Sequence, residues 1–361
     1  MNSKERVYRA LRREPVDRTP VWMWFHPSTA RRLAAALEIP VPRLAEALGD
    51  DIRQTWVNNN YAMEGIVHAN EGESHTDYWG ITWQRVGEFN QITTSPLADA
   101  DREECIAFEL PWKHLDGLLA RMEPVAGSAE RYFIGCDVSP CVFEMYARIR
   151  GLQAAALDLA LDPVLASLMM ARCTEFAVKL SQAACERFPL DWLWTGDDVA
   201  GQQSLMMSPE TWRELIKPLL KRVVDVGKAA GLPVAHHCCG ALSAIIPDLI
   251  EIGVDVLNPV QCNCPGMNPI ELKGAYGDRL SFMGGVDTQD LLPNGSAVAV
   301  ARETRRLIEG MTADGGGYIL AASHAVPPET PDENIFAMYE AAGISREEIR
   351  DRAACIRAER I

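Results

Sequence analysis

The sequence predicts an α/β fold with a parallel sheet of the (β/α)8 barrel kind, and two observations predict it. Short apolar runs bounded by Gly, Asp or Pro recur along the chain, and stretches of helical periodicity separate them. Strand and helix alternating at this spacing make βαβ units, which build parallel sheets. A chain of 361 residues suits one barrel with additions, since barrels commonly exceed about 250 residues.

The expected strands, in order, are 19–25 and 132–136 in the first half, then 190–194, 233–237, 254–257, 280–284 and 317–321. Helices are expected at 208–230, 242–252 and 296–311. The first opens on Ser208-Pro209-Glu210, an N-cap, an N1 proline and a first-turn acid. Residues 61–110 lack a helical period, and 77–86 alternates like a hairpin strand. That region reads as an insertion capping one end of the barrel, with Trp79 and Trp83 on one face, closing over the mouth. No repeat or linker marks a boundary, so residues 1–361 read as one domain with an N-terminal extension. A mixed two-domain arrangement is the alternative.

Composition narrows the function. Apolar residues make up 48% of the chain and charged residues 24%, as in a globular protein. The net charge of −15 and the lack of a basic stripe argue against a nucleic-acid partner. No run approaches the roughly twenty apolar residues that a membrane helix needs. Met1-Asn2-Ser3-Lys4-Glu5-Arg6 leads into no apolar core of a secretion signal, so a cytoplasmic protein is expected. Ten cysteines in such a chain are not a disulfide framework. Cys173, Cys185 and Cys355 lie in apolar helical stretches and read as small core residues. That leaves Cys238-Cys239 and Cys262-Asn263-Cys264 to explain.

Barrel chemistry sits at the C-terminal ends of the strands. There the sequence places His237-Cys238-Cys239-Gly240, Asp197-Asp198, Asn258 with Gln261, Asp287 and His324. Side chains alternate along a strand, so His237 and Cys239 share one face while His236 and Cys238 share the other. An imidazole and a thiolate so spaced suit Zn2+, which takes nitrogen and sulfur ligands tetrahedrally. The third ligand is His324, or else Cys262 or Cys264. The bland alternative is a packed polar strand end without metal. His26, His68, His75 and His114 read as structural or surface residues.

The segments His237-Cys238-Cys239-Gly240, Pro247-Asp248-Leu249-Ile250-Glu251-Ile252-Gly253-Val254-Asp255 and Gly284-Gly285-Val286-Asp287-Thr288-Gln289 resemble the uroporphyrinogen decarboxylase superfamily. Pro327-Pro328-Glu329-Thr330-Pro331-Asp332 and Gly196-Asp197-Asp198 with Ser208-Pro209-Glu210 extend the resemblance over nearly the whole chain. It implies a (β/α)8 barrel. The decarboxylases carry an arginine-rich Arg-Gln-Ala-Gly-Arg segment near the first strand, where this chain has Trp22-Met23-Trp24-Phe25-His26. An apolar pocket serves a polycarboxylate badly, since buried carboxylates need paired cations.

The resemblance therefore favours the cobamide-dependent methyltransferase branch, with zinc on His237, Cys239 and His324. Relatives that methylate coenzyme M are similar but carry His, Cys, Cys; an imidazole in place of the second thiolate leaves zinc more positive and the better Lewis acid. The implied activity moves a methyl group from a methylated small molecule, such as an aromatic methyl ether, to Co(I) of a corrinoid protein. No Asp-x-His-x-x-Gly segment occurs here, so a partner protein carries the corrinoid. Methyl transfer from methylcobamide to a thiol, a decarboxylase and a non-catalytic zinc or corrinoid-binding scaffold are the alternatives. Glu144 is either a fourth ligand or the first-turn acid of a helix. Asp197 and Asp198 are candidate catalytic groups that orient substrate or a ligand, or else cap a turn. Trp22, Trp24, Phe25, Asn258, Gln261 and Asp287 are candidate substrate contacts, with structural roles as the alternative. A homo-oligomer is compatible with the sequence, which shows no interface.

Overall fold

The computed structural model describes residues 1–58 and 68–359. Residues 61–67 of the expected insertion lie outside the described residues. The strands are β1 (Ile52–Trp56), β2 (Ser74–Thr76), β3 (Thr82–Val86), β4 (Phe89–Thr94), β5 (Phe133–Asp137), β6 (Trp192–Gly196), β7 (Val234–His237), β8 (Val256–Val260), β9 (Ser281–Val286) and β10 (Tyr318–Ala322). Seven of them form one sheet in chain order, β1-β5-β6-β7-β8-β9-β10. Pairing is parallel, as in Leu193 opposite Val234 and Tyr318 opposite Phe282.

The expected strand at 19–25 is reduced to two isolated parallel bridges, Val21 with Leu320 and Phe25 with Val326. Asp51 N also donates to Val21 O at 2.8 Å, so this segment occupies the eighth strand position of a (β/α)8 barrel. Between the two bridges the first segment advances four residues and its partner six, which pushes the surplus around 323–325 out of the ladder. His324 sits in that bulge. Strand β1 escaped the sequence reading because Arg53, Gln54 and Thr55 break any apolar run; Gln54 Oε1 accepts the Trp192 indole N–H at 2.8 Å.

Contacts group the residues into two compact units, 1–53 with 130–133 and 256–361, and 54–129 with 134–255. In the first, Leu33, Leu48, Phe282, Tyr318 and Tyr339 are fully buried. Its buried Asp50 accepts from Tyr339 OH at 2.7 Å and from Met23 N at 3.3 Å. Burial pushes the Asp50 carboxyl up to about 7. Folding thus favours its protonated form, and the stability this gives is full below pH 3.8 and lost as pH rises toward 7. Wild-type unfolding free energy, referred to Asp50→Asn, is expected to fall across that window and level off above it. Parallel denaturation profiles for the two proteins would remove Asp50 as the cause.

In the second unit Trp192, Trp194, Trp212, Phe143 and Phe176 are fully buried. Ser208 caps its helix as expected, accepting from Thr211 N at 3.1 Å. The helix then widens to a π-turn at Trp212–Ile216 before Lys217–Ala229. Pro218 accounts for this, because its ring displaces the carbonyl four residues back and it donates no N–H. The insertion holds an antiparallel sheet, β2-β3-β4. Residues 77–81 form a turn rather than strand: Asp77 accepts from Trp79 N, Ile81 N and the Trp83 indole, which ties the turn to β3. Trp79 is buried edge-on against Phe176 at 4.9 Å, and so serves packing inside this unit. Cys173 is buried as expected, whereas Cys355 is exposed: it lies one position before buried Ile356, about 100° away around the helix. Among the described residues no helix is long and apolar enough to cross a membrane.

Candidate metal centre

Strand β7 delivers the alternation its sequence requires. His236 is buried, its Nδ1 3.0 Å from Thr195 Oγ1, and burial, with the adjacent His237, pushes its pKa down to about 3. Cys238 is also buried, and burial raises its thiol well above the usual range. His237 and Cys239 are both part-exposed, with Cys239 Sγ 3.3 Å from His237 Nε2. The next residue must be glycine: Gly240 has φ +91, and a Cβ there would lie 2.5 Å from Gly201 O.

The end of β6 holds this turn in place. Asp198 Oδ1 accepts Cys239 N at 2.7 Å and lies 4.0 Å from His237 Nε2. Asp198 N in turn donates to Glu144 Oε2 at 3.1 Å, and Arg148 donates to Glu144 Oε1 at 2.6 Å. Asp197 is fully buried and accepts the N–H groups of Val142, Phe143 and Glu144 at 2.8–3.1 Å. It thereby caps the helix Phe143–Arg150 from a neighbouring strand, and burial raises its carboxyl to about 7 despite those bonds. Both aspartates bond backbone, Asp198 that of Cys239 and Asp197 that of the helix that carries Glu144. Arg148, four residues after Glu144 on one helical face, is the member of this chain that sequence reading missed.

His324 follows β10, its ring 4.9 Å from that of Trp24. His237 and Cys239 belong to the second unit and His324 to the first. Zn–N of about 2.0 Å and Zn–S of about 2.3 Å at a tetrahedral angle separate N and S by about 3.5 Å, near the 3.3 Å found for His237 and Cys239. An imidazole and a thiol at this separation are donors zinc accepts, so His237 and Cys239 fit the metal. Among the described residues of the second unit, Glu144 is not grouped with His237 and Cys239. Glu144 is instead the first-turn acid, engaged by Asp198 N and Arg148. Burial keeps the Cys262 thiol protonated, raised to about 11.

The remaining candidates divide. Trp22, Trp24 and Phe25 are part-buried around fully packed Met23. Asn258 and Gln261 are buried on and just after β8. Asp287 is a turn cap: its oxygens accept from Gln289 N, Asp290 N and Leu291 N at 2.8–3.2 Å, and from Asn263 Nδ2. These bonds engage both oxygens of its carboxylate. Beside Asp198 and Glu144 opens a cavity of about 410 Å³ with apolar walls from Ile92, Phe143, Ala147, Leu152 and Met206. Ile92 and Met206 were invisible to sequence reading because β4 and the loop after β6 carry no strand-end signature.

Parallel strands in chain order are the mark of an α/β barrel. Residues 132–343 match the model of the uroporphyrinogen decarboxylase (URO-D) family, and the chain belongs to that family. It is 29% identical to a uroporphyrinogen decarboxylase of Thermus thermophilus over 92% of this chain and 96% of that protein. It is 26% identical to a methylated-thiol–coenzyme M methyltransferase of Methanosarcina mazei, over 55% of this chain and 50% of that protein. A solved methyltransferase from Methanosarcina mazei superposes with a TM-score of 0.71 at 17% identity, covering 95% of this chain and 98% of that one, which establishes the shared barrel fold.

Proposed function

We propose that this chain is a zinc methyltransferase that takes a methyl group from a methylated small molecule and passes it to Co(I) of a separate corrinoid protein. The observation that carries this reading is the His237 imidazole nitrogen 3.3 Å from the Cys239 thiol sulfur, and the family resemblance supports His324 as the third donor. When bound, zinc would act as a Lewis acid on the substrate's leaving oxygen. A set with one thiolate leaves more positive charge for that task than a set with two, which supports an ether, such as an aromatic methyl ether, as the donor. Asp198 fixes the backbone of Cys239, and through it the thiolate's direction. Trp24 packs beside the His324 ring and limits its orientation. The apolar cavity next to Asp198 offers room for the ring of such a substrate.

The full-length similarity to a uroporphyrinogen decarboxylase favours a second reading, decarboxylation without metal. One experiment separates them: purified protein is analysed for zinc, then mixed with reduced corrinoid protein and a panel of methyl ethers, methylamines and thiols. About one zinc per chain and methylcobamide formed from an ether are expected. Methylation of coenzyme M from methylcobalamin, with no methylcobamide from any donor, would reassign the chain to the thiol direction. Zinc without turnover would make it a scaffold, and decarboxylation of a porphyrinogen by metal-free protein would establish the second reading.

A further inference from the structure

Strands β5, β6 and β7, with the end of β1 from Gln54 on, are neighbours within the second unit. One face of these strands meets the helix Lys217–Ala229: a Cβ on Gly227 would lie 2.6 Å from Val234 and 3.2 Å from Leu193. Alternation turns Trp192, Trp194, Gly196 and His237 to the opposite face. Gln54 shares that face, since its Oε1 accepts the Trp192 indole N–H at 2.8 Å, and so does Gly135, whose Cβ would strike both side chains. Counting in twos from these positions brings Asn58, Ser139, Gly196 and His237 together at the C-terminal ends of the strands.

Gly196 is what lets two of them approach. A Cβ there would lie 2.8 Å from the Ser139 Cβ and 3.3 Å from the His237 Cβ, so those side chains flank the space of one missing methyl group. The Gly196 backbone lies outside the left-handed region, so space rather than conformation calls for glycine.

Two polar groups on this face are unengaged. Ser139 N donates to Asp137 Oδ1 at 2.8 Å, but among the described residues the Ser139 hydroxyl bonds nothing. Asn58 is 1% exposed, and its Nδ2 donates to Val138 O at 3.3 Å and Pro140 O at 3.0 Å, on either side of Ser139. Those two acceptors fix which way the amide points. Its Oδ1 is the remaining end, buried and without a partner among the described residues.

A buried amide oxygen is stabilised by any donor brought to it. Asn58 Oδ1 only accepts, whereas a serine hydroxyl both donates and accepts. A second hydroxyl answers both, giving its proton to Asn58 and taking one from Ser139. An ether oxygen has no proton for Asn58, and a carboxylate would set its negative charge against that oxygen.

The geometry points to Asn58 and Ser139 as a specificity-determining pair that binds a hydroxyl group of the substrate beside His237. Resting on the reading of the substrate as a methylated small molecule, it makes that substrate a hydroxylated one, such as a methoxyphenol. Full-length protein is titrated calorimetrically with the three methoxyphenols, the three dimethoxybenzenes and the three methoxybenzoates. At least one methoxyphenol is expected to bind at least ~10-fold more tightly than the dimethoxybenzene and methoxybenzoate of the same ring pattern. Ser139→Ala is expected to lose most of that preference while keeping its zinc content and urea midpoint. Asn58→Leu is expected to abolish it; where loss of the Nδ2 bonds prevents folding, Ser139→Ala carries the test. No binding by any methoxyphenol, equal binding of the three classes, or a preference that Ser139→Ala leaves intact each overturns the inference. Methylcobamide formed equally from methoxyphenols and dimethoxybenzenes also overturns it and leaves the methyl-transfer reading standing. A methoxyphenol preference lost in Ser139→Ala, without methylcobamide from any donor, does the reverse.

Discussion

Cys239→Ser protein is expected to fold normally and to lose its zinc, to below about a tenth of an ion per chain after gel filtration, with methyl transfer reduced at least a hundredfold. The reasoning starts from the donor group. Zinc binds deprotonated ligands, and a serine hydroxyl does not ionise near neutrality as a thiol does beside a metal. Only His237 and His324 would then remain of the three proposed donors. The fold should survive because Cys239 is part-exposed and Asp198 holds its backbone N–H, which serine retains. Atomic absorption on the purified variant decides it: stoichiometric zinc in folded Cys239→Ser protein would falsify the donor assignment.

Asp197→Ala should destabilise the protein by about 3 kcal/mol, a combination of a lost helix cap and buried N–H groups left without an acceptor. Val142, Phe143 and Glu144 all donate to that one carboxylate. Nothing else in the first turn supplies a side-chain acceptor, since Val142 at the N-cap position makes no such bond. The damage should also travel. Glu144 is held at the first turn and accepts Asp198 N, so fraying there loosens the support of Cys239. Urea denaturation measures the stability loss, and zinc affinity should weaken by less than in Cys239→Ser. An unchanged urea midpoint would show that water replaces the carboxylate at no cost.

The sequence announced the parallel sheet because its strands are buried on both faces and read as continuous apolar runs, as in Trp192–Gly196 and Ser281–Val286. It hid β1, whose Gln54 is polar yet satisfied inside by Trp192. Alternation alone assigned His237 and Cys239 to one face and His236 and Cys238 to the other, since a period of two is a property of the strand itself. His324 required the family resemblance, because its partners come from distant sequence and its position depends on a bulge. The acids were the hardest residues to read. Asp197, Asp198, Glu144 and Asp287 look alike as strand-end or first-turn carboxylates, and only hydrogen-bond geometry shows that Asp197 and Asp287 cap turns of backbone while Asp198 and Glu144 brace Cys239.

His324 owes its place to surplus chain. The ladder between 21–25 and 320–326 is closed at both ends, by Val21 with Leu320 and by Phe25 with Val326, on either side of that surplus. Barrel closure and placement of the His324 imidazole are therefore specified by separate stretches of sequence. Ser323 stays bonded to the neighbouring chain, its N–H on Val286 O at 2.7 Å and its Oγ accepting from Thr288 N at 3.2 Å, so a substitution at 324 is the change that withdraws the imidazole alone. A barrel arranged in this way can gain, exchange or lose a metal as a local change, and its chemistry can diverge without renegotiating its architecture.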